Sequence, residues 1–336
     1  MPLSIKRRIA AAVAAAGLAA GTAGVGSAAA EPELPPMPQL PAFPQFTPDQ
    51  LMALQPMILP APNNDAITVN PDTRENFVAF GDSAAANVTA IDIVASKAIE
   101  RGVPVAWPNI GNGNCAQGAD SFPVKTAQRA GLRLSNYTCA GAVARADVRM
   151  PSLHTNSVTH QVDLALKDGA LTGDTKLVTI TAGMNDTYQA PYGDPARYGE
   201  YDDEYVRVIG DQVRRIREAA PNARVVITGY PDQTDGHGYI CQLNAGGLVT
   251  RTYYPLLDWL QKHIRTAQQR TADEQHVDFY DAFSEIDLGH DNNACSPNPN
   301  RLSSAWVDDQ SHALAGHLTS LGNDHYAEAL AARANH

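Results

Sequence analysis

From about Asn76 to the C-terminus, short apolar runs alternate with amphipathic stretches, and that alternation predicts the fold. The runs are Phe77-Val78-Ala79-Phe80, Leu177-Val178-Thr179-Ile180, Val225-Val226-Ile227 and Val277-Asp278-Phe279-Tyr280. Each is brief, β-branched or aromatic, and closes on polar or Gly-containing residues, as strands buried on both faces of a parallel sheet do. Leu132 to Tyr137 is a shorter fifth candidate. Between the runs, Tyr205 to Ala219 places Val206, Val208, Ile209, Val213 and Ile216 among charges, and Leu248 to Ala272 sets Leu256, Leu257, Leu260 and Ile264 along one stripe, so both predict helices. A last, Ala-rich helix is expected over about Leu321 to Ala334. Strand-helix alternation of this kind predicts a single three-layer α/β/α domain over 71–336. The stretches 184–200 and 232–250, rich in Gly, Asp, Tyr and Asn, predict loops long enough to shape a cleft.

The N-terminal part follows a different pattern. Lys6-Arg7-Arg8, an Ala/Gly/Val-rich middle and the small-residue exit Ala28-Ala29-Ala30 predict a signal peptide over 1–30, cut near Ala30. A membrane anchor is the alternative, but a segment so poor in Leu, Ile and Phe would hold a bilayer weakly. Residues 31–70 carry Pro32, Pro35, Pro36, Pro38, Pro41, Pro44 and Pro48, which bar a helix or central strand and predict an extended arm. No other stretch is apolar enough to span a membrane, so a soluble secreted or cell-envelope protein is expected.

Charge narrows the partners. Cleavage would remove three positive charges and no negative ones, moving the formal charge from -11 to -14. That acidity argues against nucleic acid and anionic lipid headgroups as partners. The four cysteines, Cys115, Cys139, Cys241 and Cys295, imply two disulfides in an exported chain, with three pairings possible. Adjacency favours Cys115 with Cys139 and Cys241 with Cys295. A metal reading is poor: no close Cys pair occurs, no His-Glu-x-x-His occurs, and His312 and His317 are five apart rather than four.

The chemistry-bearing residues fall in four short blocks. Phe80-Gly81-Asp82-Ser83 ends the first run, Cys139-Ala140-Gly141-Ala142 follows the short strand, Gly183-Met184-Asn185-Asp186 ends the second strong run, and His317-Leu318-Thr319-Ser320-Leu321-Gly322 lies near the C-terminus. Functional groups in parallel α/β sheets gather at the carboxyl ends of strands, which puts Ser83 and Asn185 side by side. Acyl transfer needs a nucleophile, a base and donors aimed at the developing oxyanion. Ser83 supplies the first, and the Ser83 N–H, the Gly141 N–H and the Asn185 amide are candidate donors. Singly, each has an ordinary structural use, as an N-cap, a turn glycine or an Asx turn. Two histidines compete as base. His312 has Asp309 three residues before it; His317 has Leu314, whose backbone carbonyl could orient the ring, as could a carboxylate of Asp308 or Asp309. His325 lies inside the predicted last helix. Asp235-Gly236-His237-Gly238 reads as loop.

Taken in order, the blocks resemble the SGNH, or GDSL, hydrolase superfamily, and most of all its exported bacterial lipase and esterase branch. The resemblance runs from about Phe77 to Ala332 and is most specific where Cys115-x(4)-Asp120-Ser121-Phe122-Pro123 leads to Asn136-Tyr137-Thr138-Cys139-Ala140-Gly141-Ala142. It implies a flavodoxin-like five-stranded parallel sheet, a Cys115–Cys139 bridge, Ser83 as nucleophile and Ser83, Gly141 and Asn185 as oxyanion donors. It favours His317, with Gly five residues on and a helix following, over His312. It also implies an acyl-enzyme on Ser83, an acyl-ester substrate (lipid or small ester), no cofactor, and, in members lacking the acidic residue, a main-chain carbonyl such as that of Leu314 holding the His. Ala84-Ala85-Ala86 stands where a larger residue is usual after the Ser, and Leu318 where Pro is usual after the His.

The leading expectation is a secreted serine ester hydrolase, a lipase or carboxylesterase. The same site could instead serve an envelope acyltransferase or polysaccharide deacetylase. A catalytically inactive envelope-binding module tethered by the Pro-rich arm is the non-enzymatic alternative, and on either of these readings cell-envelope components would be the partners.

Overall fold

A computed structural model describes residues 75–103, 107, 110–144, 156–187, 198–286, 291–311, 313–314 and 316–335. The expected signal peptide and Pro-rich arm lie outside the described residues.

Five strands form one parallel sheet. They are β1 (Asn76–Gly81), β2 (Arg133–Asn136), β3 (Thr175–Thr181), β4 (Arg224–Thr228) and the later Asp278–Tyr280, which is β7 in chain order. The order across the sheet is β2-β1-β3-β4-β7, and every neighbouring pair is parallel. This is the flavodoxin-like arrangement, in which the chain leaves β1 in one direction and β3 continues in the other; the crevice between their ends is the usual ligand site.

The strands alternate their side chains between two apolar layers. Val78, Phe80, Val178, Ile180, Val225 and Ile227 face α4 (Val158–Lys167), α6 (Tyr198–Ala219) and α7 (Pro255–Gln275). Phe77, Ala79, Leu177, Val226 and Tyr280 face α3 (Phe122–Ala130) and α9 (Ser320–Ala334). Both faces are therefore covered, which is why the runs are continuously apolar instead of alternating. On the second face Phe122 stacks on Tyr326, ring centroids 4.9 Å apart.

The remaining elements shape the loops. α1 (Ser83–Ala86) and α5 (Met184–Thr187) are single turns directly after β1 and β3, α2 (Ala90–Glu100) is closed by a Thr89/Asp92 capping box, and α8 (Ala282–Glu285) follows β7. Within the region expected to be loop, 232–250, the chain instead makes an antiparallel hairpin of β5 (Tyr239–Ala245) and β6 (Leu248–Tyr253), with the short β8 (Val307–Asp308) parallel to β5. Gly246 and Gly247, φ +59° and +80°, make the tight turn that needs two left-handed residues. The helix expected from Leu248 accordingly starts at Pro255, where proline's fixed φ suits a first helical position. Two disulfides join Cys115 to Cys139 and Cys241 to Cys295. Among the described residues no helix is long and apolar enough to cross a membrane, and no group of three or more His, Cys, Asp or Glu is placed to hold a metal ion.

Candidate active site

β1 turns sharply at Gly81, where φ is +150° and a Cβ would lie 2.6 Å from the Thr181 carbonyl oxygen on β3. Only glycine lets the two strand ends approach so closely. The buried Gln161 of α4 fixes this turn from below: the Gly81 N–H donates to its Oε1 at 2.8 Å, and its Nε2 donates to the Gly81 carbonyl at 2.9 Å. The next residue, Asp82, caps α1 by accepting the Ala84 N–H at 2.9 Å. Ser83 is then the first helical residue and points out of the sheet edge. Ala85 and Ala86 are fully buried beneath it, so the small residues after the serine are packing requirements of this turn.

The imidazole arrives from the far end of the chain. His317 Nε2 lies 2.9 Å from Ser83 Oγ across 234 residues of sequence. The backbone behind the ring is firmly held. The His317 carbonyl accepts both the Ser304 N–H and the Ser304 hydroxyl, each at 2.8 Å, and Leu318 bridges to Ser303. Thr319 then caps α9 through the Gly322 N–H at 3.2 Å. A Cβ on Gly322 would lie 2.1 Å from the Leu302 carbonyl oxygen, so the glycine five residues after the histidine is where α9 starts hard against this strand.

Two further blocks close on the same point. The Cys139 N–H donates to the Gly81 carbonyl at 2.9 Å, which sets the following turn beside the end of β1. In that turn Gly141 has φ +78°. The N–H groups of Ser83 and Gly141 have no hydrogen-bond acceptor among the described residues. At the end of β3, Asn185 Nδ2 donates to the Ala142 carbonyl at 2.8 Å and more distantly, at 3.3 Å, to Asp82 Oδ2. Its neighbour Asp186 accepts the Ala144 N–H at 2.9 Å.

The structure thus brings Ser83, His317, Gly141 and Asn185 to one edge of the sheet. It does not bring Asp308 or Asp309 to His317. Asp308 is buried and takes two bonds from Arg301, with Nη2 at 2.5 Å and Nε at 3.1 Å, besides the Ala305 and Gln310 N–H groups. Asp309 accepts from Arg301, Gly246 and Gln310. Both carboxylates are instead held by Arg301. The Leu314 N–H donates to the Val88 carbonyl at 2.9 Å and its side chain packs on the Ala86–Val88 cluster, which ties the histidine segment to the Ser83 turn. His312 lies outside the described residues, and His325 is exposed on α9. The Asp235–Gly238 segment is an Asx turn: Asp235 accepts the N–H groups of His237 and Tyr239.

Three residues at the site were not anticipated: Gln161, Tyr230 and the buried Arg301. Gln161 left a signal, since it stands on the apolar stripe Val158, Val162, Ala165 where a polar side chain must have a buried partner. Tyr230 follows β4, and its hydroxyl donates to Asp82 Oδ2 at 2.5 Å. Burial pushes the Asp82 carboxyl up to about 7, against the lowering effect of the Tyr230 and Ala84 hydrogen bonds.

The model of the GDSL-like lipase/acylhydrolase family matches residues 79–325. Similar solved structures include an extracellular lipase from Streptomyces rimosus, 18% identical with a TM-score of 0.48 over 76% of this chain and 99% of that one. A phospholipase A1 from Streptomyces albidoflavus is 17% identical with a TM-score of 0.47, over 76% of this chain and 98% of that one. A carbohydrate acetylesterase from Sinorhizobium meliloti is 16% identical with a TM-score of 0.45, over 78% and 99%. No curated protein sequence matches the chain.

Proposed function

The chain belongs to the GDSL-like lipase/acylhydrolase family, whose members hydrolyse esters, and from that premise we propose that it is a secreted serine ester hydrolase working through an acyl-enzyme on Ser83. The observation that carries the proposal is the 2.9 Å separation of Ser83 Oγ and His317 Nε2. With Nε2 unprotonated, the hydroxyl donates to it, so attack of Oγ on an ester carbonyl and transfer of its proton to the ring are one movement.

Charge then accumulates on the former carbonyl oxygen. The Ser83 and Gly141 N–H groups, which have no acceptor among the described residues, supply two donors for it. Asn185 supplies a third: one Nδ2 hydrogen stays on the Ala142 carbonyl, and the other, steered by Asp82 Oδ2 at 3.3 Å, is shared with the oxyanion. Collapse of the tetrahedral species breaks the ester C–O bond, and protonated His317 delivers its proton to the departing alkoxide. A water, deprotonated by the same imidazole, attacks the acyl-Ser83 ester and releases the acid. The Leu314 carbonyl is the proposed orienting acceptor for the ring. Secretion rests on the basic, apolar and small-residue N-terminus together with two disulfides, which persist in oxidising compartments.

Hydrolysis of p-nitrophenyl esters tests this. Ser83→Ala and His317→Ala should each lower kcat by about 10⁴-fold or more while leaving the fold intact. Undiminished hydrolysis by Ser83→Ala would remove the acyl-enzyme.

A further inference from the structure

Asp82 sits one residue before the nucleophile, fully buried, and its two oxygens face three donors. Oδ1 accepts the Ala84 N–H, and Oδ2 accepts both the Tyr230 hydroxyl at 2.5 Å and the Asn185 amide at 3.3 Å. Tyr230 lies past the end of β4, two strands away from β1 in the sheet. Its phenol reaches across the end of β3, where the Met184 N–H donates to the same hydroxyl at 3.3 Å. One phenolic oxygen therefore joins the ends of three adjacent strands: β4 carries it, β3 donates to it, and β1 accepts from it.

Resting on the acyl-enzyme reading above, we propose that Tyr230 is a positioning residue of the oxyanion site, acting through Asp82: its hydroxyl favours the ionised form of Asp82, and that carboxylate aims the Asn185 amide. Ionisation matters because every neighbour of the carboxyl oxygens is a donor. A protonated Asp82 would place an O–H donor among donors, setting it against the Ala84 N–H on one oxygen or the phenol and amide on the other. No Lys or Arg among the described residues pairs with Asp82, so the hydrogen bonds alone offset the burial of its charge.

The other titratable groups around it do not replace Tyr230. Tyr205 from α6 donates to the Ala182 carbonyl and Tyr326 from α9 to the Gly229 carbonyl, and burial raises both phenols well above their ordinary range. Asp186, on α5 beside Asn185, accepts the Ala144 N–H. His317 is engaged with Ser83 on the other side of the turn. Tyr230 itself stays protonated, its phenol raised first by burial and then by the Asp82 charge. The carboxyl, up at about 7, is thus the group whose state changes near neutral pH.

The test is the pH profile of ester hydrolysis by wild type, Tyr230→Phe, Asp82→Asn and the double variant. A hydrogen bond from a neutral donor to a charge is worth enough that its loss should move the Asp82 ionisation upward by about one pH unit or more. Tyr230→Phe should therefore lose kcat most at low pH and recover part of it on the alkaline side, with KM nearly unchanged. Adding Tyr230→Phe to Asp82→Asn should produce no further shift. A uniform loss at every pH, or a shift that persists without the Asp82 carboxylate, overturns the proposal. Carbon-13 titration of the Asp82 carboxyl reads the same link without turnover, in a chain carrying Ser83→Ala. Meta-fluorotyrosine at 230, a stronger donor that keeps the ring, should move that titration down, and an unmoved titration again contradicts the proposal. Absence of ester hydrolysis in wild type would instead count against the acyl-enzyme reading, while the carboxyl titration still decides the role of Tyr230.

Discussion

A single buried carboxyl shows how far this site departs from what its residue types favour. Asp82 would ordinarily be an exposed N-cap; here it is buried and its acidity is weakened to about 7. Between about pH 4 and 7 the folded chain holds the Asp82 proton more tightly than the unfolded one, so folding stability falls as pH rises through that window and levels off above it. Asp82→Asn lacks this slope. Urea melts at pH 5 and pH 8 should show the variant gaining on wild type as pH rises, by on the order of 4 kcal/mol across the whole window. Parallel stability curves for the two proteins would show that Asp82 does not titrate there. At this scale the four blocks holding Ser83, Gly141, Asn185 and His317 were legible as short runs, and the structure brings them to one edge of the sheet. Their supports were not. Gln161 and Tyr230 act through side chains that cross 80 and 148 residues of sequence to reach Gly81 and Asp82, and neither local pattern nor propensity reports such a distance. Asp308 and Asp309 lie about as near in sequence to Arg301 as to His317, so spacing alone does not say which they serve; both pair with Arg301.

Elements were legible where burial imposes a pattern and obscure where it does not. The strands of the main sheet stood out because both of their faces are covered, and β4, for instance, reads as Val225-Val226-Ile227 with hardly a polar interruption. Of the hairpin, β5 lies where a loop is expected and β6 where the helix from Leu248 is expected. β6 runs Leu248-Val249-Thr250-Arg251-Thr252-Tyr253 with most residues exposed or half-buried, so no face of it is consistently apolar. That hairpin nevertheless matters to the site through one buried cation. Arg301 bonds the carbonyl of Asn244 on β5 and the carboxylate of Asp308 on β8, while its own carbonyl accepts the Thr319 hydroxyl, two residues beyond His317. Removing one partner of a buried ion pair leaves the other uncompensated. Arg301→Ala should cost about 3–5 kcal/mol of stability in urea unfolding, and esterase activity should fall further than Tm alone explains, because residues 302–304 form the rail that holds His317. Activity unchanged at temperatures where the variant is folded would show that the rail does not set the ring.

At the scale of the whole molecule, the flavodoxin-like sheet does one thing for the chemistry: it ends β1 and β3 side by side at the point where the chain reverses direction across the sheet. Ser83 and the Asn185 block are therefore neighbours by topology, whereas His317 is delivered by a long return of chain. Two disulfides brace that delivery, Cys115–Cys139 beneath the Gly141 turn and Cys241–Cys295 between the hairpin and the segment leading to Arg301. The central claim is that His317 activates Ser83. Its most direct test is the rate at which a p-nitrophenyl alkylphosphonate modifies the folded chain, followed by peptide mapping. The account predicts one adduct, on Ser83 in wild type, and its near absence in folded His317→Ala; an adduct elsewhere, or equal labelling of Ser83 in both proteins, would contradict it.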